Sequence, residues 1–222
     1  AAGIAATGKK VICSSFAMFA AGRAFEQVRN SIGYPHLNVV IGATHAGISV
    51  GEDGATHQCN EDIALMRTIP GMTIINPADE TEAKMAVEAA LDHNGPVYMR
   101  FGRLAAPVIF GEDYKFQIGK GVELKEGSDV TIVATGLMVS EALQAHDLLK
   151  AEGISARVIN IATIKPLDKE IILKAAKETG AIVTAEEHSV IGGLGSAVAE
   201  CVAEEYPVPV VKLGVNDEFG HS

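Results

Sequence analysis

The polar loop at residues 44–58 holds the residue types best suited to chemistry. It reads T-H-A-G-I-S-V-G-E-D-G-A-T-H-Q, with His45 and His57 twelve positions apart and Glu52 and Asp53 between them. Imidazole and carboxylate groups together transfer protons and hydrogen-bond hydroxyl groups near neutral pH. Glycines in the loop allow the backbone to approach a ligand closely. The loop therefore predicts a functional site, and the alternative is a surface loop with incidental polar residues.

Two further residue pairs are candidates for ligand contacts. Phe16 and Phe19 are spaced to share one helix face, where they form either ordinary core or an aromatic wall for a flat heterocycle. Arg100 and Arg103 bracket the end of a predicted strand, where guanidinium groups bind phosphate or pair with a nearby carboxylate. The sequence alone leaves both alternatives open for each pair.

Other motifs favour structural roles. His57 and Cys59 have no further metal-ligand types at useful spacing, so no metal site is predicted. The segment 192–195 reads G-G-L-G, which differs from a G-x-G-x-x-G dinucleotide fingerprint and favours a tight strand-to-helix turn. His188, in the same region, is a candidate interface residue. The remaining histidines read as surface or cap residues: His36, His93, His146 and His221.

Alternating strand and helix patterns must position these residues. We expect an α/β fold of two domains with mostly parallel sheets flanked by helices. The predicted domains are 1–103 and 119–222, joined by a linker at 104–118. Ligands of such sheets bind beyond the carboxyl ends of the strands, which is where the loop 44–58 lies. Asp79 is the predicted N-cap of one helix, with Glu82 three residues later in a capping-box arrangement. The predicted strands cover residues 11–15, 37–43, 72–75, 96–101, 130–135, 156–161, 181–185 and 208–213, and the predicted helices residues 17–32, 61–68, 79–93, 139–152, 167–179 and 194–205.

Composition excludes several classes of protein. The formal net charge of −10 disfavours nucleic-acid binding, because an acidic surface repels phosphate backbones. The three cysteines are too few and too scattered for a disulfide scaffold, so we expect a reducing, cytoplasmic location. No stretch reaches the roughly 18 apolar residues of a membrane span. The apolar run after Lys10 is interrupted at Cys13, which argues against a signal peptide.

The motifs together resemble the transketolase family over essentially the whole chain. The block at 51–58, G-E-D-G-A-T-H-Q, is similar to the family's G-E-D-G-P-T-H-Q signature, with Ala55 in place of proline. Deoxyxylulose-phosphate synthases and the E1 components of oxo-acid dehydrogenases share the layout but have other loop signatures. Further matching segments are Thr44 and His45 and residues 66–72, 76–79, 96–103, 186–188 and 192–195.

The resemblance implies a fold, a reaction and a set of roles. The domains would be a pyrimidine-binding domain that lacks its start and a transketolase C-terminal domain. Thiamine diphosphate and Mg²⁺ would support transfer of a two-carbon ketol unit between sugar phosphates. Phe16 and Phe19 would line the aminopyrimidine ring. His57 would hydrogen-bond the donor near its reacting carbons, and Asp53 would contact a substrate hydroxyl and help set the stereochemical preference. His45 and Arg103 would hold the sugar and its phosphate.

Two parts of the family pattern are missing from this sequence. The activating glutamate of a G-I-x-E segment would lie just upstream of Ala1, and the G-D-G magnesium motif of the diphosphate-binding domain does not occur. We therefore expect a trimmed C-terminal subunit that is inactive alone. It would work with an N-terminal companion subunit that provides most of the Mg²⁺ site. The assembly would be a homodimer or a heterotetramer with the companion. The alternatives are a non-catalytic scaffold or regulatory subunit and an enzyme of the synthase or E1 β type.

Overall fold

A first parallel sheet is built from the N-terminal part of the chain. In the computed structural model, which describes residues 1–221, four parallel strands follow the order β1-β2-β4-β3. Their side chains are largely buried on both faces in β2, β3 and β4, as expected for β-branched strands covered by helices. All four had been predicted. Their bounds are Val11–Phe16 (β1), Val39–Thr44 (β2), Thr73–Ile75 (β3) and Val97–Arg100 (β4).

The helices of this unit begin and end close to their predicted positions. The helix predicted at residues 17–32 is wound mostly as two π-helical segments, Met18–Arg23 and Val28–Gly33, on either side of the short α-helix Phe25–Gln27. The Asp79 carboxylate accepts a hydrogen bond from the Glu82 amide at 2.8 Å, which confirms the predicted N-cap. The helices are Ala2–Ala5 (α1), Phe25–Gln27 (α2), Asp62–Arg67 (α3) and Glu80–Asp92 (α4).

The second sheet is formed by the C-terminal part of the chain. Its order is β10-β9-β6-β7-β5, and β5 is its one antiparallel strand within the described residues. β5 was not predicted. The strands are Val122–Lys125 (β5), Val130–Ala134 (β6), Ala156–Asn160 (β7), Ile182–Ser189 (β9) and Val210–Val215 (β10), and the helices are Met138–Ala151 (α5), Lys169–Thr179 (α6) and Leu194–Glu205 (α7).

One strand of the C-terminal part completes the first sheet. β8 (Thr163–Lys165) pairs antiparallel with β3 at the sheet edge, a pairing that the sequence patterns did not predict. One cluster of buried apolar side chains runs from Met66 in α3 through Ile164 in β8 to Ile172 in α6. The two units therefore share a hydrophobic core, which fixes one against the other. None of the helices in residues 1–221 has the length and apolar character needed to cross a membrane.

Candidate active site

Four rings meet at the carboxyl ends of β1 and β2. Phe16 is the last residue of β1 and lies in register with Thr44, the last residue of β2. His45 follows Thr44 and stacks on Phe16, with ring centroids 3.9 Å apart and an angle of 12° between the planes. Phe16 and Phe19 are nearly parallel, at 8° and a centroid separation of 6.1 Å. The structure thus brings together the two phenylalanines and the first histidine singled out in the sequence.

His57 closes this ring cluster from the other end of the loop. Its ring meets Phe19 edge-on at 5.4 Å and Phe16 at 6.1 Å. The Nδ1 atom of His57 lies 2.9 Å from the hydroxyl of Thr56, and its backbone N–H donates to the carbonyl of Gly54 at 3.0 Å. Among residues 1–221, no protein group hydrogen-bonds Nε2, which leaves this nitrogen for a ligand.

The backbone at His45 is strained. Its φ of 57° lies in the left-handed region, which only His36 shares among the non-glycine residues described. Such conformations cost about 1–3 kcal/mol and persist where the surrounding structure enforces them, often at functional sites. The enforcing contacts are the stack on Phe16 and the 3.1 Å approach of Nδ1 to the hydroxyl of Thr44. The stack and the strain single out His45 as a candidate functional residue.

Asp53 and Arg103 lie at the exposed part of the loop. Asp53 ends the short 3-10 turn Gly51–Asp53, and its carboxylate makes no hydrogen bond or ion pair with residues 1–221. Arg103 is exposed, and a Cβ placed on Gly51 would come within 3.0 Å of its Nη1 atom. The Arg103 guanidinium therefore packs against Gly51, the first residue of the turn that carries Asp53. It has no ion-pair partner in the described part of the chain and can accept an anion.

Arg100 has a different role from Arg103. Its side chain is 2% exposed and its Nε atom lies 2.9 Å from the Asp62 carboxylate, which also accepts the hydroxyl of Tyr98 at 2.9 Å. Its Nη2 atom donates to the backbone carbonyl of Glu187 at 2.8 Å. The sequence left phosphate binding and a carboxylate ion pair as alternatives for Arg100. The structure shows the ion pair, and the pair is buried.

The turn after β9 is structural, as predicted for the G-G-L-G segment. The Glu186 carboxylate accepts hydrogen bonds from the backbone amides of Leu194 at 2.6 Å and Gly195 at 2.8 Å, at the start of α7. A Cβ on Gly193 would overlap this carboxylate, so the glycine is required by packing. Burial raises the pKa of Glu186, and the two backbone hydrogen bonds partly offset that rise.

His188 is an interface residue between the two units, as the sequence suggested. Its ring is fully buried and its Nε2 atom accepts a hydrogen bond from the Ala64 amide at 3.3 Å. Burial lowers the pKa of His188 to about 4, although the Asp62 carboxylate partly counteracts this. The ring is therefore neutral at neutral pH. His146 was expected at the surface and is instead buried, with Nδ1 2.7 Å from the carbonyl of Ala156.

Sequence patterns missed one residue at the site, Glu187. Its Oε1 atom accepts hydrogen bonds from the backbone amide and the hydroxyl of Ser49, at 2.7 and 2.5 Å. Ser49 lies 138 positions earlier in the chain, so no local pattern could connect the two. The available signal was an acidic pair at the carboxyl end of a predicted strand, beside the expected site.

Comparison with known protein families matches both units of the chain. Residues 1–108 match the family described as "Transketolase, pyrimidine binding domain", and residues 119–222 match "Transketolase, C-terminal domain". The two matches together cover nearly the whole chain and define a protein of paired α/β units. The chain belongs to the transketolase family.

Three similar proteins illustrate the relationship. The chain is 52% identical to the "Putative transketolase C-terminal section" of Methanocaldococcus jannaschii, over 100% of the chain and 70% of that protein. It is 49% identical to the "6-deoxy-6-sulfo-D-fructose transketolase subunit SqwH" of Clostridium sp., over 99% of the chain and 68% of that protein. The solved structure "Split gene transketolase, inactive beta4 tetramer" superposes with a TM-score of 0.93 at 57% identity, covering 98% of the chain and 71% of that one.

Proposed function

We propose that the chain is the C-terminal subunit of a thiamine-diphosphate-dependent transketolase, which moves a two-carbon ketol unit from a ketose phosphate to an aldose phosphate. The observation that carries the proposal is the ring cluster of Phe16, Phe19, His45 and His57 at the carboxyl ends of β1 and β2. It joins a flat apolar wall to two imidazoles within one site. Imidazoles beside such a wall can hydrogen-bond the polar groups of a ligand that stacks on it.

The residues present fit the pyrimidine half of the cofactor. Phe16 and Phe19 are half-buried, and Phe19 lines a cavity of about 400 Å³ together with residues 13–15 of β1. Aromatic rings at this spacing offer a stacking surface for a planar heterocycle. When bound, thiamine diphosphate supplies the electron sink for cleavage of the donor's carbon–carbon bond. The companion subunit is assigned the diphosphate and Mg²⁺.

His57 and Asp53 are assigned to the donor's reacting end. Thr56 holds Nδ1 of His57, and the Phe19 edge contact fixes the plane of the ring. With the ring held in this way, the unpartnered Nε2 is left to make one hydrogen bond to an oxygen atom of the ketose substrate. A hydrogen-bonding group that is fixed before the reaction stabilises developing charge without reorganising. The exposed carboxylate of Asp53 accepts a hydrogen bond from a sugar hydroxyl.

Arg103 and His45 are assigned to the sugar and its phosphate. The Arg103 guanidinium is exposed above Gly51 and presents donors in the geometry that phosphate oxygens accept. Binding the phosphate far from the reacting carbon positions that carbon without entering the chemistry. His45 lies where the aromatic wall meets the loop, and its imidazole is assigned a hydrogen bond to a sugar hydroxyl.

The test is a kinetic comparison in the complex with the companion subunit, thiamine diphosphate and Mg²⁺. His57→Ala should lower kcat by about 100-fold, the usual scale for losing one preorganised donor at the reacting centre. Arg103→Ala should raise the KM of a ketose phosphate by about tenfold and leave that of the unphosphorylated ketose unchanged. Arg29→Ala is the matched control, because the Arg29 side chain is exposed and bonds only its neighbour Asn30.

The outcomes separate the competing assignments. Normal turnover in both variants would contradict the site. Turnover that requires pyruvate as donor would favour the synthase or E1 β type. Inactivity of the wild-type complex with every ketose phosphate of five to seven carbons would favour a scaffold or regulatory subunit.

A further inference from the structure

The Glu187 side chain crosses from the second unit into the candidate substrate loop. Glu187 lies in β9, which belongs to the second sheet, yet its carboxylate bonds both the amide and the hydroxyl of Ser49. The residue is only 9% exposed. A buried carboxylate that receives two hydrogen bonds fixes its donors more tightly than a neutral acceptor does. Ser49 is therefore tied to the second unit at one point.

Glycines on both sides show how closely the carboxylate is enclosed. Gly47 has a φ of 86°, and a Cβ there would overlap the Glu187 carboxylate. A Cβ on Gly102 would lie 3.9 Å from Oε2 of Glu187. The carboxylate thus lies between the start of the loop 44–58 and the residue that precedes Arg103. Its hydrogen-bond partner is Ser49, and among residues 1–221 it makes no hydrogen bond to His45 or His57.

The backbone around Glu187 is itself anchored. The buried Arg100 donates to the Glu187 carbonyl at 2.8 Å, and the Ser189 amide donates to the Asn60 carbonyl at 2.7 Å. Asn60 follows the loop, so the second unit holds the loop within its first half, at Ser49, and just beyond its end, at Asn60. The loop 44–58 contains three glycines and is therefore flexible by itself. Because the Glu187 carboxylate is held rigidly, its hydrogen bonds can fix the conformation of this loop, which a mobile acceptor could not do.

We propose that Glu187 is a positioning residue for the substrate site, through which the C-terminal domain sets the geometry of the loop that carries His45, Asp53 and His57. This rests on the proposed function and deepens it. Phe16 and Phe19 are held by β1 and the π-helical turn after it, without Glu187. Loss of the carboxylate should therefore weaken donor binding and leave the binding of thiamine diphosphate nearly unchanged.

The experiment compares three variants in the complex with the companion subunit. Glu187→Ala removes the acceptor, and Glu187→Gln keeps one amide oxygen for the Ser49 amide. Glu152→Ala is the matched control, since Glu152 is an exposed carboxylate of the same domain with no side-chain partner among residues 1–221. The readouts are hydrogen–deuterium exchange of the peptide spanning residues 46–51, the KM of a ketose phosphate, and the dissociation constant of thiamine diphosphate.

For Glu187→Ala we expect faster exchange in this peptide and a KM raised by about tenfold, the factor that one hydrogen bond to a charged group contributes. Glu187→Gln should recover most of both. Thiamine diphosphate affinity should change less than about twofold, within the scatter expected for residues without contact. A purely structural role would instead lower donor and cofactor affinity together, without recovery in the glutamine variant.

Two failures remain distinguishable. If the wild-type complex transfers a ketol unit and Glu187→Ala leaves the exchange rate or the donor KM unchanged, the role of Glu187 is wrong and the proposed function stands. If the wild-type complex transfers nothing, the proposed function is wrong and the donor-binding role of Glu187 is wrong with it.

Discussion

Phe16 stacks on His45 across the junction of β1 and β2, with the two ring centroids 3.9 Å apart. The contact follows from strand register, because Phe16 pairs with Thr44 and the next residue after Thr44 is His45. The parallel pairing that builds the sheet therefore also joins the aromatic wall to the polar loop. A slip of one residue would separate them, since it would turn every side chain of the strand to the opposite face.

The aromatic wall can be tested directly. Phe16→Ala should raise the dissociation constant of thiamine diphosphate by about tenfold in the complex with the companion subunit, because a stacked ring contributes roughly 0.5–1.5 kcal/mol beyond its buried area. The measurement is a calorimetric titration of the complex. Phe219→Ala is the matched control, because the Phe219 side chain is 86% exposed. Equal affinities for both variants would show that Phe16 does not contact the cofactor.

The buried ion pair of Asp62 and Arg100 packs next to the candidate site, where Arg100 also donates to the backbone carbonyl of Glu187. Asp62→Ala leaves the Arg100 guanidinium buried without its counter-ion, which should cost about 3–5 kcal/mol in the free energy of unfolding. The measurement is the urea midpoint of the purified protein. Glu88→Ala, an exposed carboxylate in α4, should leave the midpoint unchanged. A midpoint for Asp62→Ala equal to that of the control would mean that the pair does not stabilise the fold.

Much of the fold could be predicted from local patterns. The β-branched run Val39–Ile41 and the Asp79 cap with Glu82 three residues on gave correct elements because burial and capping act over a few residues. β8 could not be found this way. It is three residues long and exists through antiparallel pairing with β3, about ninety positions earlier in the chain.

The candidate site was also predictable only in part, because residue types can be read from the sequence and tertiary contacts cannot. The loop residues were suggested by their types, and the stack of Phe16 on His45 then followed from two adjacent strands of one sheet. The choice between phosphate binding and ion pairing at Arg100 depended on Asp62, whose proximity is tertiary. Glu187 needed Ser49, whose position is set by the packing of two domains.

The neutral His188 makes the fold sensitive to acid. The unfolded chain protonates this histidine below a pKa of about 6.5, whereas burial holds the folded pKa at about 4. Between these values only the unfolded state takes up the proton. The free energy of unfolding should therefore fall by about 1.4 kcal/mol for each pH unit from 6.5 down to 4, with no further loss from this group at lower pH.

His188→Gln isolates this contribution. Glutamine can still accept the Ala64 amide and does not titrate, so its unfolding free energy should fall less steeply than that of the wild type between pH 6.5 and 4. The measurement is urea denaturation at half-unit pH steps. Glu82, whose pKa is raised by burial, titrates in both proteins and cancels in the comparison. Glu186 lies 3.9 Å from the His188 ring, so its titration contributes to the difference between the two profiles. Parallel profiles would show that His188 is not the titrating group.

The central claim is ketol transfer by this chain together with a companion subunit, and isotope tracing measures it most directly. A ketose phosphate labelled with ¹³C at its first two carbons would be incubated with an aldose phosphate, thiamine diphosphate and Mg²⁺. We predict that the complex moves the two labelled carbons as an intact pair into the new ketose phosphate, that neither subunit does so alone, and that His57→Ala abolishes most of the transfer. Label that stays in the donor, or moves equally well without this chain, would contradict the account.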